Sequence, residues 1–418
     1  MKKKLCLFAL ALGMLPVQAQ DNNEFTVDVQ LRPRAEYRAG QGALRGDDSQ
    51  AAAFVSNRAR LSLGFKSQLL DLKVAGQHVG TWGAEGQTKS NGDFTMNEAW
   101  AKLHSADGAF YALFGRQALI YDDERILGGL DWAQTGRYHD GLKLGYEKNE
   151  DKLNVILALN QNKENRLGTY YDASTGQPYK SMQTAWYHHQ FTDAKFGASF
   201  LFMNLGWEAG DASKGDSRYM QTFGTHLTFA PSTFNFAGCF YYQTGKEAKG
   251  RKVGAYTWSL NATDRISPIV SVNAGVDFRS GDDGTSGTYR AFDQLWGTHH
   301  KFYGTMDYFL QKVECGLWDP HASATFTLAK PVTLSATYHY FLADKKFETP
   351  DCNKRSLGSE IDLQLNWKAM ENVTLQCGIS TMIANEAMEA YCKGDHKKFQ
   401  GWGWLSLNIN PTIFASKK

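Results

Sequence analysis

The chain has 418 residues, 45 of them basic and 43 acidic, with 40 glycines, 9 prolines, 25 Phe, 19 Tyr and 11 Trp. Totals so nearly balanced exclude a uniform field strong enough to bind nucleic acid, so any electrostatic preference must come from how the charges are arranged. No Pro-rich or Ser-rich linker interrupts the chain, and one continuous domain is expected although the length would permit two.

The first element is a leader. Lys2, Lys3 and Lys4 precede an apolar run from Leu5 to Leu15, and Val17 and Ala19 supply small residues for cleavage after Ala19. The run is about half the roughly 20 apolar residues that a spanning helix needs. An exported mature chain over 20–418 is expected. Loss of the three leader lysines would leave it 42 basic and 43 acidic residues.

FTVDVQLRPRAEYR follows. Phe25, Val27, Val29, Leu31, Pro33, Ala35 and Tyr37 alternate with Thr26, Asp28, Gln30, Arg32, Arg34, Glu36 and Arg38. Successive strand residues face opposite ways, so one face is apolar and the other charged. The segment is longer than the usual five or six residues of a soluble strand and suits a tilted strand crossing a bilayer, for which about 9–11 residues suffice. FVSNRARLSLGFK repeats the pattern, with Arg58 and Arg60 on the polar face. So do ISPIVSVNAGVDFR, which carries Asp277 and Arg279, and SEIDLQLNWK, which carries Glu360 and Asp362. About eighteen such segments fit between Phe25 and Asn410, which predicts an all-β, single transmembrane antiparallel β-barrel. Closure leaves no unpaired strand edge in lipid.

The connections alternate in length. SADG (105–108), TDAK (192–195), APST (230–233), AKP (329–331) and AMEN (369–372) read as short periplasmic turns, with long extracellular loops between them. Two connections exceed the rhythm: 118–138 and 281–320. Long structureless links in a compact fold usually have a task, and both are expected to fold inward or over the mouth.

The first of these lies in GRQALIYDDERILGGLDWAQTGRYHDGLKLG (115–145). Its carboxylates Asp122, Asp123, Glu124 and Asp131 admit a glycosidase reading. A plainer one has Arg116, Arg125 and Arg137 pairing with them to hold the loop in shape. GRQ (115–117), YDDER (121–125), DW (131–132), GR (136–137) and DG (140–141), followed by FDQLWGTHHKFYGTMDYF (292–309), resemble the alginate export family of outer-membrane porins. The resemblance covers nearly all the mature chain. It implies an eighteen-stranded monomeric barrel with a positively biased lumen that passes an anionic polysaccharide outward. Arg116, Asp122, Asp123, Arg125, Arg137 and Asp140 match its first motif, and His300, Lys301, Gly304 and Asp307 its second. Two departures are the near-neutral charge and the ending PTIFASKK, where many such barrels carry a terminal aromatic.

If apolar rows face lipid, Arg32, Arg34, Arg38, Arg58 and Arg60 enter the lumen, with neighbours on one strand about 6.8 Å apart. Asp28, Glu36 and Glu98 are candidate counter-charges. This ladder reads either as a track for carboxylate, sulfate or phosphate, which guanidinium grips bidentately, or as a web of internal salt bridges. Expected channel-lining residues are thus Arg32, Arg34, Arg38, Arg58, Arg60, Glu98, Asp277 and Arg279. Expected loop or constriction residues are Arg116, Asp122, Asp123, Arg125, Asp131, Arg137, Asp140, His300, Lys301 and Asp307.

His299 and His300, taken as strand neighbours, would point apart, so no metal site is expected, and no cofactor. Packing within the loop, or stacking with Trp296, Phe302 and Tyr303, is the alternative. Phe25, Tyr146, Tyr340, Phe341, Trp402 and Trp404 are candidates for interfacial aromatic belts. Cys352 and Cys392 fall in the last two long loops and are candidates for a disulfide, whereas Cys377 belongs to a lipid-facing row. The expected function is a passive Gram-negative outer-membrane channel, not an enzyme, for anionic solutes or acidic oligo- or polysaccharides. Its partners would be the lipid bilayer and possible periplasmic secretion proteins. A glycan receptor or adhesin with a sealed lumen, and a barrel enzyme, stay open.

Overall fold

Period-two sequence over ten or more residues can bury only one face of a strand, and this chain solves the problem by curling its sheet until the two edges meet. The computed structural model describes residues 23–88, 94–209, 216–346 and 354–416. The expected leader and Cys352, hence the expected disulfide, lie outside the described residues. The wall is made of β1 (Glu24–Ala39), β2 (Ala52–Lys66), β3 (Leu70–Thr81), β4 (Phe94–His104), β5 (Phe110–Gln117), β6 (His139–Lys148), β7 (Asp151–Leu159), β8 (Ser181–Phe191) and β9 (Phe196–Ala209). It continues through β10 (Asp216–Phe229), β11 (Phe234–Lys246), β12 (Lys252–Ser267), β13 (Val270–Arg279), β14 (Leu317–Ala329), β15 (Val332–Leu342), β16 (Ser356–Met370), β17 (Val373–Ala384) and β18 (Gln400–Ile409). Each strand pairs antiparallel with the next, and β1 pairs with β18, closing an 18-strand barrel.

Burial is the inverse of a soluble protein's. Leu31, Leu61 and Leu363 are 42, 48 and 45% exposed on the outer wall, whereas Arg58, Gln243 and Glu360 are 0% exposed inside. Eight short turns lie at one end and nine longer connections at the other, the arrangement of an outer-membrane barrel with its turns in the periplasm. The last long connection carries a single short helix, α1 (Glu386–Cys392). No described helix is long and apolar enough to cross a membrane.

Two outcomes differ from the sequence expectation. Phe341, Trp402 and Trp404 are 0, 2 and 7% exposed and face the lumen, not the lipid interface. In β18 the outer row opposite the tryptophans begins with Gly401 and Gly403, so alternation there does not reveal which face is which. The inner row is also not uniformly polar. Leu201, Met203 and Leu205 of β9 are buried inside while Phe200 and Phe202 face out, because the 118–138 segment lies over that stretch of wall and needs an apolar bed.

Candidate functional site

The site begins with a conflict in the wall. Arg32 of β1 and Arg58 of β2 are direct cross-strand partners, and like charges directly opposite destabilise a sheet. Asp131, brought in by the inward-folded 118–138 segment, resolves it. Its Oδ2 lies 3.1 Å from Arg32 Nη1 and its Oδ1 lies 2.7 Å from Arg58 Nη1. The same guanidiniums also donate to the backbone carbonyls of Ala133 and Gln134. Burial pushes the Asp131 pKa up, but Arg58, Arg32 and Arg60 outweigh it and the net shift is downward. Higher on β1, Glu36 accepts from Arg34 at 2.9 Å and from Arg38 at 2.8 Å. Much of the ladder is therefore internally neutralised.

The second long connection, 280–316, also folds inward, and the two segments zip together. Gly128 N donates to Trp296 O at 2.9 Å, Trp296 N to Ile126 O at 3.1 Å, and Thr298 N to Glu124 O at 2.9 Å. Arg137 Nη1 donates to Gly297 O at 2.7 Å. Arg125 fastens the pair to the wall: it reaches Asp123 at 3.1 Å, Asp277 of β13 at 3.0 Å and the Tyr303 hydroxyl at 2.8 Å. The Asp123 carboxyl is raised by burial but held below its ordinary range by Arg125. Six of the nine described non-glycine residues with positive φ, namely Asp122, Glu124, Leu130, Leu295, Tyr303 and Asp307, belong to these two segments. Such backbone persists where surrounding contacts over-determine it, often at functional sites. Gly304 is required for a further reason: at φ +81° a Cβ would stand 2.6 Å from the Glu360 carboxylate.

Two cavities in the lumen border the zipped segments. The outer one, about 270 Å³, is lined by Arg34, Arg38, Trp132, Arg137 and Asp307, among others. The inner one, about 360 Å³, is lined by Asp123, Asp277 and Asp362, by the cations Arg125 and Lys301, and by His321 and His339, among others. His300 lines both. Its ring stacks on Trp132 with centroids 4.3 Å apart, and its Nδ1 lies 2.5 Å from Asp307 Oδ1. Trp132 is gripped in turn by Arg34, whose guanidinium sits 4.2 Å above it, and by the edges of Trp402 and Trp404. Arg137, lowered by burial to about 10, still carries its charge at neutral pH. No carboxylate lies within ion-pair distance of it among the described residues.

Of the expected lining residues, Arg34, Arg38 and Asp277 do line a chamber, while Arg58 and Arg279 are buried under the inward segments. Arg279 contacts Gln294 and the Phe309 carbonyl and lies 4.0 Å from the Tyr303 ring. Arg60 bonds to Gln77 at 2.8 Å. Glu98 answers Lys73, not the arginines, and Asp28 takes the Thr412 hydroxyl. Arg116 and Asp140 form a two-pronged cross-strand pair at 2.8 and 2.9 Å, away from the constriction. By alternation they share the outward row of Phe114 and Leu144, both exposed. Arg137 takes a carbonyl where a carboxylate partner was expected. Asp122 accepts from Trp186 Nε1 at 3.1 Å, and Lys301 lies 3.6 Å from Glu124.

His299 to Lys301 form a single 3₁₀ turn, not a strand, so the premise of opposed histidine side chains does not apply. His299 is buried, and burial together with Arg279 and Arg137 lowers its pKa to about 3, leaving it neutral with Nε2 on the Gln294 carbonyl at 2.9 Å. Trp132 and Thr298 lay inside the quoted motifs without an assigned role, and Gln134, His321 and His339 were not singled out.

A closed eighteen-strand wall, apolar outside and charged within, narrowed by two inward segments, defines a porin-class barrel of the Gram-negative outer membrane. The alginate export family model matches residues 22–393, and the chain belongs to that family. Solved channels share the fold at low identity. Acinetobacter baumannii OccAB4 is 13% identical with a TM-score of 0.63, covering 96% of this chain and 100% of its own. Pseudomonas aeruginosa OccK9 (OpdG) is 12% identical at 0.64, covering 93% of this chain and 98% of its own. P. aeruginosa OccK2 (OpdF), solved in complex with glucuronate, is 12% identical at 0.62, covering 93% of this chain and 97% of its own. Comparison with curated proteins returns no match.

Proposed function

We propose that this protein is a passive, monomeric diffusion channel for small anionic solutes, with carboxylate-bearing sugars and acidic oligosaccharides as the favoured class. The observation that carries this reading is the outer chamber. Arg34, Arg38 and Arg137 converge there, and Arg137 has no carboxylate partner among the described residues. A planar guanidinium fork with free donors suits a passing carboxylate. The glucuronate held by the OccK2 relative fits the same chemistry. Transport is driven by the solute gradient, since nothing in this reading couples energy to flux.

The test is reversal potential in planar bilayers under a salt gradient, followed by glucuronate titration. Wild type should prefer anions and show concentration-dependent block, and Arg137→Gln should weaken both without loss of conductance. A cation-selective wild type, or glucuronate binding with no conductance at all, overturns the channel reading; the second outcome indicates a sealed receptor.

A further inference from the structure

The inner chamber contains a cluster that anion passage does not require. Asp319 and His321 are two residues apart on the inner row of β14, and His339 of β15 is the direct cross-strand partner of His321. On the neighbouring strands Asp277 is the direct partner of Asp319, and Glu360 of His339. Asp362 follows Glu360 two residues on, so the pleat gathers four carboxylates and two imidazoles on one patch of wall.

The positive charge present does not match. Asp277 has Arg125, at 3.0 Å. Asp319 is 0% exposed, and among the described residues its close side-chain partners are the two histidines: His339 Nδ1 at 2.9 Å and His321 Nδ1 at 3.8 Å. Asp362 Oδ2 and Glu360 Oε2 are buried without a hydrogen-bond partner, and Asp362 Oδ2 lies 3.7 Å from His339 Nε2. His321 Nε2 faces Asn261 Oδ1 at 2.9 Å, and its Nδ1 faces the Asp319 carbonyl at 3.1 Å. All four ring nitrogens thus face oxygen. A neutral imidazole has one N–H and one lone pair, so two neutral rings can satisfy only two of these contacts. The remaining contacts call for added positive charge, supplied by protons on the rings or by a bound ion.

We propose that Asp319, His321 and His339 bind one divalent transition-metal ion of the zinc class, with its open coordination position turned to the inner chamber. One ligand atom from each lies within 4.8 Å of the others, close enough for side-chain rotation to bring them onto bonds of about 2.0–2.2 Å. Two imidazoles and one carboxylate suit zinc, copper or nickel, whereas calcium and magnesium favour six or more oxygens. Asn261 holds the His321 ring by Nε2, which leaves Nδ1 as the donor, the outer-shell role usual for a ligating histidine. His321 and His339 both line the chamber, so an ion there is reachable by solutes and can take a carboxylate as its fourth ligand.

The experiment is calorimetric titration of Zn²⁺ into tag-free, chelator-treated protein in detergent at pH 7. One saturable site is expected in wild type, weakened at least about tenfold in His339→Gln and His321→Gln. The site should be unchanged in His396→Ala, because Glu389, Asp395 and His396 form the other described cluster with metal-ligand spacing. Heat-modifiable gel mobility checks that each variant is folded. If the histidine variants do not fold, anomalous scattering at the zinc edge from wild-type crystals locates the ion instead. No saturable binding to wild type overturns the proposal. So does binding lost in His396→Ala but kept in His339→Gln, or an anomalous peak away from His321 and His339.

Discussion

Asp131 shows what one carboxylate does when two guanidiniums are fixed opposite each other. Its side chain is 71% exposed to the lumen, yet one of its partners, Arg58, is fully buried. Asp131→Asn keeps the shape and removes the charge that reconciles Arg32 with Arg58. Hydrogen bonds to charged groups contribute about 1.5–3 kcal/mol, so a destabilisation of that order is expected, read as a lower urea midpoint with increased open-channel noise. An unchanged midpoint and a quiet current would show that the backbone carbonyls of 133 and 134 suffice. The arginines themselves were legible, since alternation placed them on the inner face. Their partner was not, because it arrives from a segment about a hundred residues later whose path no local pattern encodes.

At the scale of elements, the two inward segments are held largely by ionised groups, so acid should loosen them. Asp131 and Asp123 are held below the ordinary carboxylate value of 3.8 when seated. A released segment therefore takes up protons at higher pH than a seated one. Their contribution is complete above about pH 4 and is lost as pH falls through the seated values. His299 acts in the same sense over a wider window, because its seated pKa near 3 lies below the ordinary 6.5 and only the released form is protonated in between. Single-channel records should be quiet at pH 7, noisier towards pH 5 and strongly fluctuating below pH 4. A trace that stays steady to pH 3 would refute the anchoring role. Sequence length alone marked both segments as purposeful. Their mutual pairing, such as the parallel bridge between Leu127 and Trp296, was not readable because it joins residues far apart in the chain.

For the whole molecule, the barrel depends on its seam. β1 pairs with β18 along one stretch, and after Pro411 a short extension, Thr412–Ala415, continues the pairing along the periplasmic half of β1. Phe414, four residues before the final lysine, meets Phe25 with ring centroids 6.0 Å apart on the outer wall. Aromatic pairs add about 0.5–1.5 kcal/mol beyond burial, so Phe414→Ala should lower the yield of heat-modifiable barrel on refolding into lipid while leaving selectivity intact. Equal yields would place closure elsewhere. Strand number and the alternating loop lengths were the most legible features, because a bilayer imposes them on every crossing. Strands such as β9, apolar on both faces, were the least legible, because one side meets lipid and the other meets a folded-in segment. Both lips of the narrowing hang from inserted segments, while the hoop supplies their moorings and the arginines of its first strand. A descendant could therefore exchange those two stretches and admit a different cargo, while its eighteen crossings, and the lipid around them, registered no change.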